Sequence, residues 1–239
     1  MVLSVDGYSI GYDRANNGGK PLLLLHGWGC DASTMRRVFF YFADKGRDVI
    51  AIDFPGFGRS PAPPAAFTIY DYAAITARFL ETLGIREPDV IAHSFGGRVA
   101  IILAARALTG RVLITDGAGV KPRRGLGYYF RVGTYKLKRK LGFKPKNAGS
   151  DDYRALTDDM KRVFVHVVNE YLDGLLTEIN RPLLLVWGEK DRDTPLYMAK
   201  RIREKVSDSA VIVMKDCGHF AFLENFAEFV TIADAFFEA

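Results

Sequence analysis

Ile91-Ala92-His93-Ser94-Phe95-Gly96-Gly97 places a serine between a short apolar run at residues 90–92 and a helical run that opens Arg98-Val99-Ala100-Ile101. A nucleophile presented at a strand-to-helix turn holds a strained backbone, so small residues are needed two before and two after it. Ala92 and Gly96 occupy those places, alanine standing where a strict G-x-S-x-G has glycine.

Outward from this turn, apolar runs at residues 22–25, 49–52, 90–92 and 112–114 alternate with helical patterns. Such alternation is the mark of strand-helix units that build a parallel sheet, and runs without polar alternation suit strands buried on both faces. Ahead of them, residues 2–5 and 8–12 flank Asp6-Gly7, a dipeptide that tolerates positive φ and predicts a tight antiparallel hairpin. The pattern breaks between about 117 and 180. There Leu156, Met160, Val163, Phe164, Val167, Val168, Tyr171 and Leu172 recur at helical spacing. Strand and helix signals resume at 183–187, 196–205, 210–214 and 222–237. The sequence thus predicts an α/β core over 1–117 and 181–239, with a helical cap inserted at 118–180.

A serine hydroxyl attacks well only when a base takes its proton. The chain has four histidines. His26 lies in a strand-end motif, His93 adjoins the serine and His166 falls in the cap. His219, in Cys217-Gly218-His219-Phe220, follows the last strand. Loops at the carboxyl ends of parallel strands share one face, which predicts that His219 meets Ser94. Imidazole in turn needs a carboxylate to hold its tautomer. Trp187-Gly188-Glu189-Lys190-Asp191-Arg192-Asp193-Thr194-Pro195 offers Asp191 as first choice, with Asp193 as a rival that could instead cap the next helix. Asp116, at the end of the strand before the cap, is a third candidate. For a developing oxyanion, the amides of Phe95 and Trp28 are the candidate donors.

Together, Leu25-His26-Gly27-Trp28-Gly29, Asp53-Phe54-Pro55-Gly56-Phe57-Gly58-Arg59-Ser60, the Ser94 turn, Gly188-Glu189-Lys190-Asp191 and Gly218-His219 resemble the α/β-hydrolase superfamily over nearly the whole chain. The resemblance implies a mostly parallel eight-stranded sheet with helices on both faces, catalysis without a cofactor, and a structural role for residues 53–60. Within that superfamily a nucleophilic serine argues against dehalogenases and epoxide hydrolases. Hydrolysis of small carboxylic esters is the leading expectation. Carbon-carbon hydrolysis of vinylogous diketones comes second, and a lyase similar to that of the menaquinone pathway is suggested by Arg98. A non-catalytic ligand-binding relative is the reading from another class.

Composition narrows the remaining classes. Hydrophobic residues make up 49% and charged residues 26% of 239, which suits one sizeable core. The N-terminus lacks a basic region followed by an apolar run and no apolar stretch could span a membrane, so the chain reads as soluble and cytoplasmic. Cys30 and Cys217 are too few for a disulfide framework and too isolated for a thiolate zinc site, so no metal is expected. Positions 121 to 146 carry ten basic residues and no acidic one, so the net charge of +5 becomes −5 over the rest. So local a charge does not predict a nucleic-acid partner. It reads first as a solvated face of the cap. Should it face the substrate, it would favour anionic esters or contact with an anionic membrane surface.

Overall fold

A computed structural model describes residues 1–123 and 156–238. Eight strands form one sheet in the order β1-β2-β4-β3-β5-β6-β7-β8. They are β1 (Val2–Val5), β2 (Tyr8–Ala15), β3 (Pro21–Leu25), β4 (Asp48–Ile52), β5 (Asp89–His93), β6 (Val112–Thr115), β7 (Leu183–Gly188) and β8 (Ser209–Met214). The pairs β1–β2 and β2–β4 are antiparallel and all others parallel. At the β1–β2 turn Asp6 (φ 46°) and Gly7 (φ 84°) are both left-handed, as the dipeptide predicts.

The helices are α1 (Arg36–Asp44), α2 (Ile69–Thr82), α3 (Phe95–Ala105), α4 (Asp158–Asn169), α5 (Tyr197–Arg203), α6 (Ala221–Glu224) and α7 (Phe226–Glu238). Alternate residues of the central strands feed two cores. Leu23 and Leu25 join Tyr72, Phe79, Val99 and Ile202 from α2, α3 and α5, whereas Leu22 and Leu24 join Val38, Phe42, Phe222 and Phe229 from α1, α6 and α7. The mostly parallel sheet covered on both faces is thus confirmed.

Three local expectations need correction. The helix after Ser94 begins at Phe95, so it includes Gly96 and Gly97, poor helix formers that sit there for another reason. A Cβ on Gly96 would lie 2.6 Å from the Leu25 carbonyl oxygen, and one on Gly97 3.0 Å from Ile114. The closing helix is two helices, broken at Asn225 (φ −129°, ψ 70°), whose Oδ1 accepts from the Glu228 amide and so starts α7. The apolar stripe of the inserted segment outruns its helix. Thr157 caps α4 at one end and Glu170 turns extended at the other, leaving Leu156, Tyr171 and Leu172 outside. Residues 124–155, which hold most of the expected cap and its basic run, lie outside the described residues. Among those described, no helix is long and apolar enough to cross a membrane.

Candidate active site

The strand order reverses direction between β3 and β5, because β4 lies on one side of β3 while β5 to β8 run outward on the other. Ligand crevices of open parallel sheets form at such a switch point, beyond the carboxyl ends of the strands. The loops after β3, β5, β7 and β8 meet there.

Ser94 holds φ 48° and ψ −109° between β5 and α3. A left-handed non-glycine residue costs about 1–3 kcal/mol, so its surroundings must enforce it. They do so by backbone bonds: the Ser94 amide donates to the Thr115 carbonyl at 3.1 Å, and the Ser94 carbonyl accepts from Gly97 and Ala118, each at 3.0 Å. Close approach does the rest. The Gly96 contact seats the turn on the end of β3, and Gly27 lets the β3 loop lie against it, since a Cβ there would be 2.9 Å from the His93 ring.

His219 follows β8, three strands away from β5, a span of about 14 Å at the usual strand spacing. Its loop reaches Ser94 by crossing the end of β7. Gly188 permits this, for a Cβ there would lie 2.0 Å from the Gly218 carbonyl oxygen. Gly188→Ala is therefore expected to destabilise the fold by about 1–3 kcal/mol and to slow any reaction that needs His219. Thermal unfolding measures the first effect, and wild-type stability in the variant would refute this account of the crossing.

The crossing loop brings His219 Nε2 to 3.0 Å from Ser94 Oγ and His219 Nδ1 to 3.0 Å from Asp191 Oδ2. Asp191 Oδ1 accepts the amides of Asp193 and Thr194 at 2.8 and 3.1 Å, and Oδ2 the Thr194 hydroxyl at 2.6 Å. Burial alone would raise the Asp191 carboxyl, yet the His219 and Thr194 bonds hold it below the ordinary value. Burial likewise disfavours the His219 imidazolium. The Asp191 bond and charge, with Asp116 and Asp193 behind them, outweigh it and raise the histidine above 6.5. A base that works only when neutral then loses activity as pH falls through a value above 6.5.

The other candidates lie elsewhere. Asp193 is exposed, and α5 starts at Tyr197 without a side-chain cap, so Asp193 does not cap it. Asp116 is fully buried but bonds Thr115, Gly188 and Ala221 instead of a histidine. His26 Nε2 accepts from the Phe54 amide at 3.0 Å, which assigns the proton to Nδ1 and its donation to the Gly27 carbonyl. Burial lowers His26 to about 4 and His93 to about 3, so both stay neutral struts. His166 is exposed on α4. Residues 53–60 form a turn in which Asp53 accepts from Ala32 and Arg59, and Ser60 Oγ donates to the Asp53 carbonyl at 2.6 Å.

Among the described residues neither the Trp28 amide nor the Phe95 amide, the two candidate oxyanion donors, donates to a protein acceptor. The Trp28 ring packs edge-on against Phe57, Phe95 and Phe164 at 4.9, 5.3 and 5.1 Å between centroids. A cavity of about 530 Å³ opens over Ser94, walled by Trp28, Phe95, Phe164, Val167, Val168 and Phe220, with Arg98 and Asp193 as charged members. Arg98 is itself buried, and its Nη1 donates to the carbonyls of Val167 and Glu170 at 3.0 and 2.6 Å. Nothing in the local sequence signals this bond, since its acceptors are backbone.

Asp191, Asp193 and His219 bring potential ligand atoms within 4.8 Å of one another. A cation bound between His219 Nδ1 and Asp191 Oδ2 would replace the hydrogen bond that joins them, and both Asp191 oxygens already accept two hydrogen bonds each, so the donor set is already committed within the protein. Cys30 and Cys217 are not joined in a disulfide.

Comparison with known proteins agrees with this architecture. A Bacillus subtilis (strain 168) protein described as the uncharacterized hydrolase YugF is 25% identical, the match covering 90% of this chain and 89% of that one. A 2-hydroxy-6-oxononadienedioate/2-hydroxy-6-oxononatrienedioate hydrolase from Pseudomonas sp is 27% identical over 92% and 89%. The crystal structure of an esterase from Exiguobacterium antarcticum superposes with a TM-score of 0.80 at 19% identity, covering 100% of this chain and 98% of that one. The model of the alpha/beta hydrolase family matches residues 22–232, from the first central strand into the last helix. The residues that carried the resemblance thus sit in the sheet, loops and order of that fold, and the chain belongs to the alpha/beta hydrolase family.

Proposed function

We propose that this hydrolase cleaves small carboxylic esters through an acyl-serine intermediate on Ser94. The observation that carries the reading is the unbroken line from Ser94 Oγ through His219 to Asp191, with hydrogen bonds of 3.0 Å on each side of the imidazole. His219 Nε2 takes the hydroxyl proton as Oγ attacks the ester carbonyl, and the oxyanion accepts from the Trp28 and Phe95 amides. Collapse expels the alcohol, which leaves with the proton from His219. Water then enters, His219 removes its proton, and the second tetrahedral species releases the acid and restores Ser94. Each oxyanion donor of this kind contributes on the order of 3 kcal/mol to the barrier. Asp191 stays ionised throughout and steadies the imidazolium.

The apolar walls around Trp28, Phe164, Val167 and Val168 support acyl groups of modest size. A second reading, carbon-carbon hydrolysis of a diketone on the same residues, is supported by the Pseudomonas relative's activity. Chromogenic esters of graded acyl length, run beside a vinylogous diketone, separate the two. The expected result is highest kcat/KM for a short or medium acyl ester. Turnover of the diketone far above every ester would overturn the assignment. The series includes esters with a distal carboxylate, because the basic run at 121–146 should favour them at low salt if it faces the cavity.

A further inference from the structure

Asp116 is the fully buried carboxylate next to the candidate site that the reaction above does not use. It holds a left-handed backbone (φ 50°), unfavourable for a residue with a Cβ and therefore enforced by its contacts. Those contacts come from separate parts of the chain. Oδ1 accepts the Gly188 amide at 2.8 Å, at the point where the histidine loop crosses β7. Oδ2 accepts the Thr115 hydroxyl at 2.8 Å and the Ala221 amide, two residues past His219, at 3.3 Å. The Asp116 amide bonds the Val186 carbonyl, and the Thr194 hydroxyl that touches Asp191 lies 2.9 Å from the Asp116 carbonyl oxygen. One residue thus bonds the strand before the acid loop, the acid loop itself and the first turn after the histidine.

We propose that Asp116 is a positioning residue for hydrolysis, whose buried carboxylate fastens Gly188 to Ala221 so that Asp191 and His219 stay aligned, and whose charge supports the His219 imidazolium. The inference rests on the serine-hydrolase reading above. No cation pairs with Asp116 among the described residues, and its donors are neutral apart from the field of His219. Burial first, and the Asp191 charge with it, therefore raise its carboxyl to about 7, against the Gly188 and Thr115 bonds and the charge of His219. The other titratable groups around the pair are Asp193 on the acid loop, Cys217 on the histidine loop, and His93, whose ring centroid lies 4.9 Å from that of His219. Asp116 and His219 act on each other through their charges, and each ionised form favours the other.

The test compares wild type with Asp116→Asn, Asp116→Ala and Thr115→Val by two measurements. NMR titration of the His219 ring reads the electrostatic part without any substrate. The pH dependence of Ser94 labelling by a fluorophosphonate, in which Oγ displaces fluoride at phosphorus and His219 takes the proton, reads the alignment. In Asp116→Asn the amide cannot accept from both Gly188 and Ala221. Its plateau labelling rate is expected to fall about 10–100-fold, as for a small misplacement of reacting groups. Removal of the anion should move both the His219 titration and the acid limb of labelling to lower pH. Asp116→Ala should show the same shift with a larger rate loss, and Thr115→Val a smaller shift, because the lost donor favours the neutral carboxyl. A slower rate with unmoved titrations would reduce Asp116 to packing and overturn the proposal, as would wild-type behaviour in all three variants. Absence of labelling in wild type would instead defeat the hydrolase reading, and the His219 titration would still decide whether Asp116 acts on the imidazole.

Discussion

Ser94→Ala is expected to abolish fluorophosphonate labelling and to lower ester turnover about a millionfold, the scale on which such relays act as a unit. His219→Ala should lose as much, and the double variant little more, because a serine without its base and a base without its serine fail at the same step. The structural grounds are the 3.0 Å contact between Oγ and Nε2 and the enforced backbone at Ser94. Residual rate above the uncatalysed reaction should persist, since the Trp28 and Phe95 amides remain to receive an oxyanion. Labelling that survives Ser94→Ala would move the nucleophile elsewhere, and additive losses in the double variant would separate the two side chains.

Asp191→Asn is expected to lower kcat/KM about ten-thousandfold with the fold intact. The loss follows from the loop around the carboxylate. Oδ1 is claimed by the amides of Asp193 and Thr194, which can bond only an acceptor, so an asparagine must keep its oxygen there. Its NH2 group then faces His219 Nδ1, which has to become the acceptor. The ring proton moves to Nε2 and points at Ser94, where a base is needed. Asp193→Asn, on an exposed side chain, should cost less than about tenfold because screened surface charges contribute little. Steady-state kinetics on one ester ranks the variants, and a larger loss at Asp193 or Asp116 would reassign the acid.

Much of this was legible in the sequence, for identifiable reasons. Unbroken apolar runs such as residues 22–25 belong to strands covered on both faces, and Asp6-Gly7 admits few alternatives to a hairpin turn. The order serine, aspartate, histidine follows the strands β5, β7 and β8, so chain position alone put the three on one face. The choice between Asp191 and Asp193 was harder. Its signal was present as an aspartate followed by amides two and three residues on, a local turn that fixes the first carboxylate and leaves the second outside. Asn225 shows a limit of periodicity: the apolar pattern continues through it, while its side chain restarts the helix. The role of Asp116 depends on donors 72 and 105 residues away, and no local pattern encodes such distances.

Arg98 stands one helical turn beyond Ser94 and grips the end of α4 and the extended residue after it through main-chain oxygens at Val167 and Glu170. The latch is therefore specific on one side and blind to side chains on the other. Any sequence that keeps the last turn of α4 helical and the residue after it extended offers the same acceptors, so the exposed face around Val165, His166 and Asn169 is free to vary without releasing the grip. Protein engineers could recolour that outer face while leaving the fastening untouched. Exchange of Arg98 for a shorter cation would undo it from the side-chain side, loosening α4 and the helix that follows Ser94 in a single change.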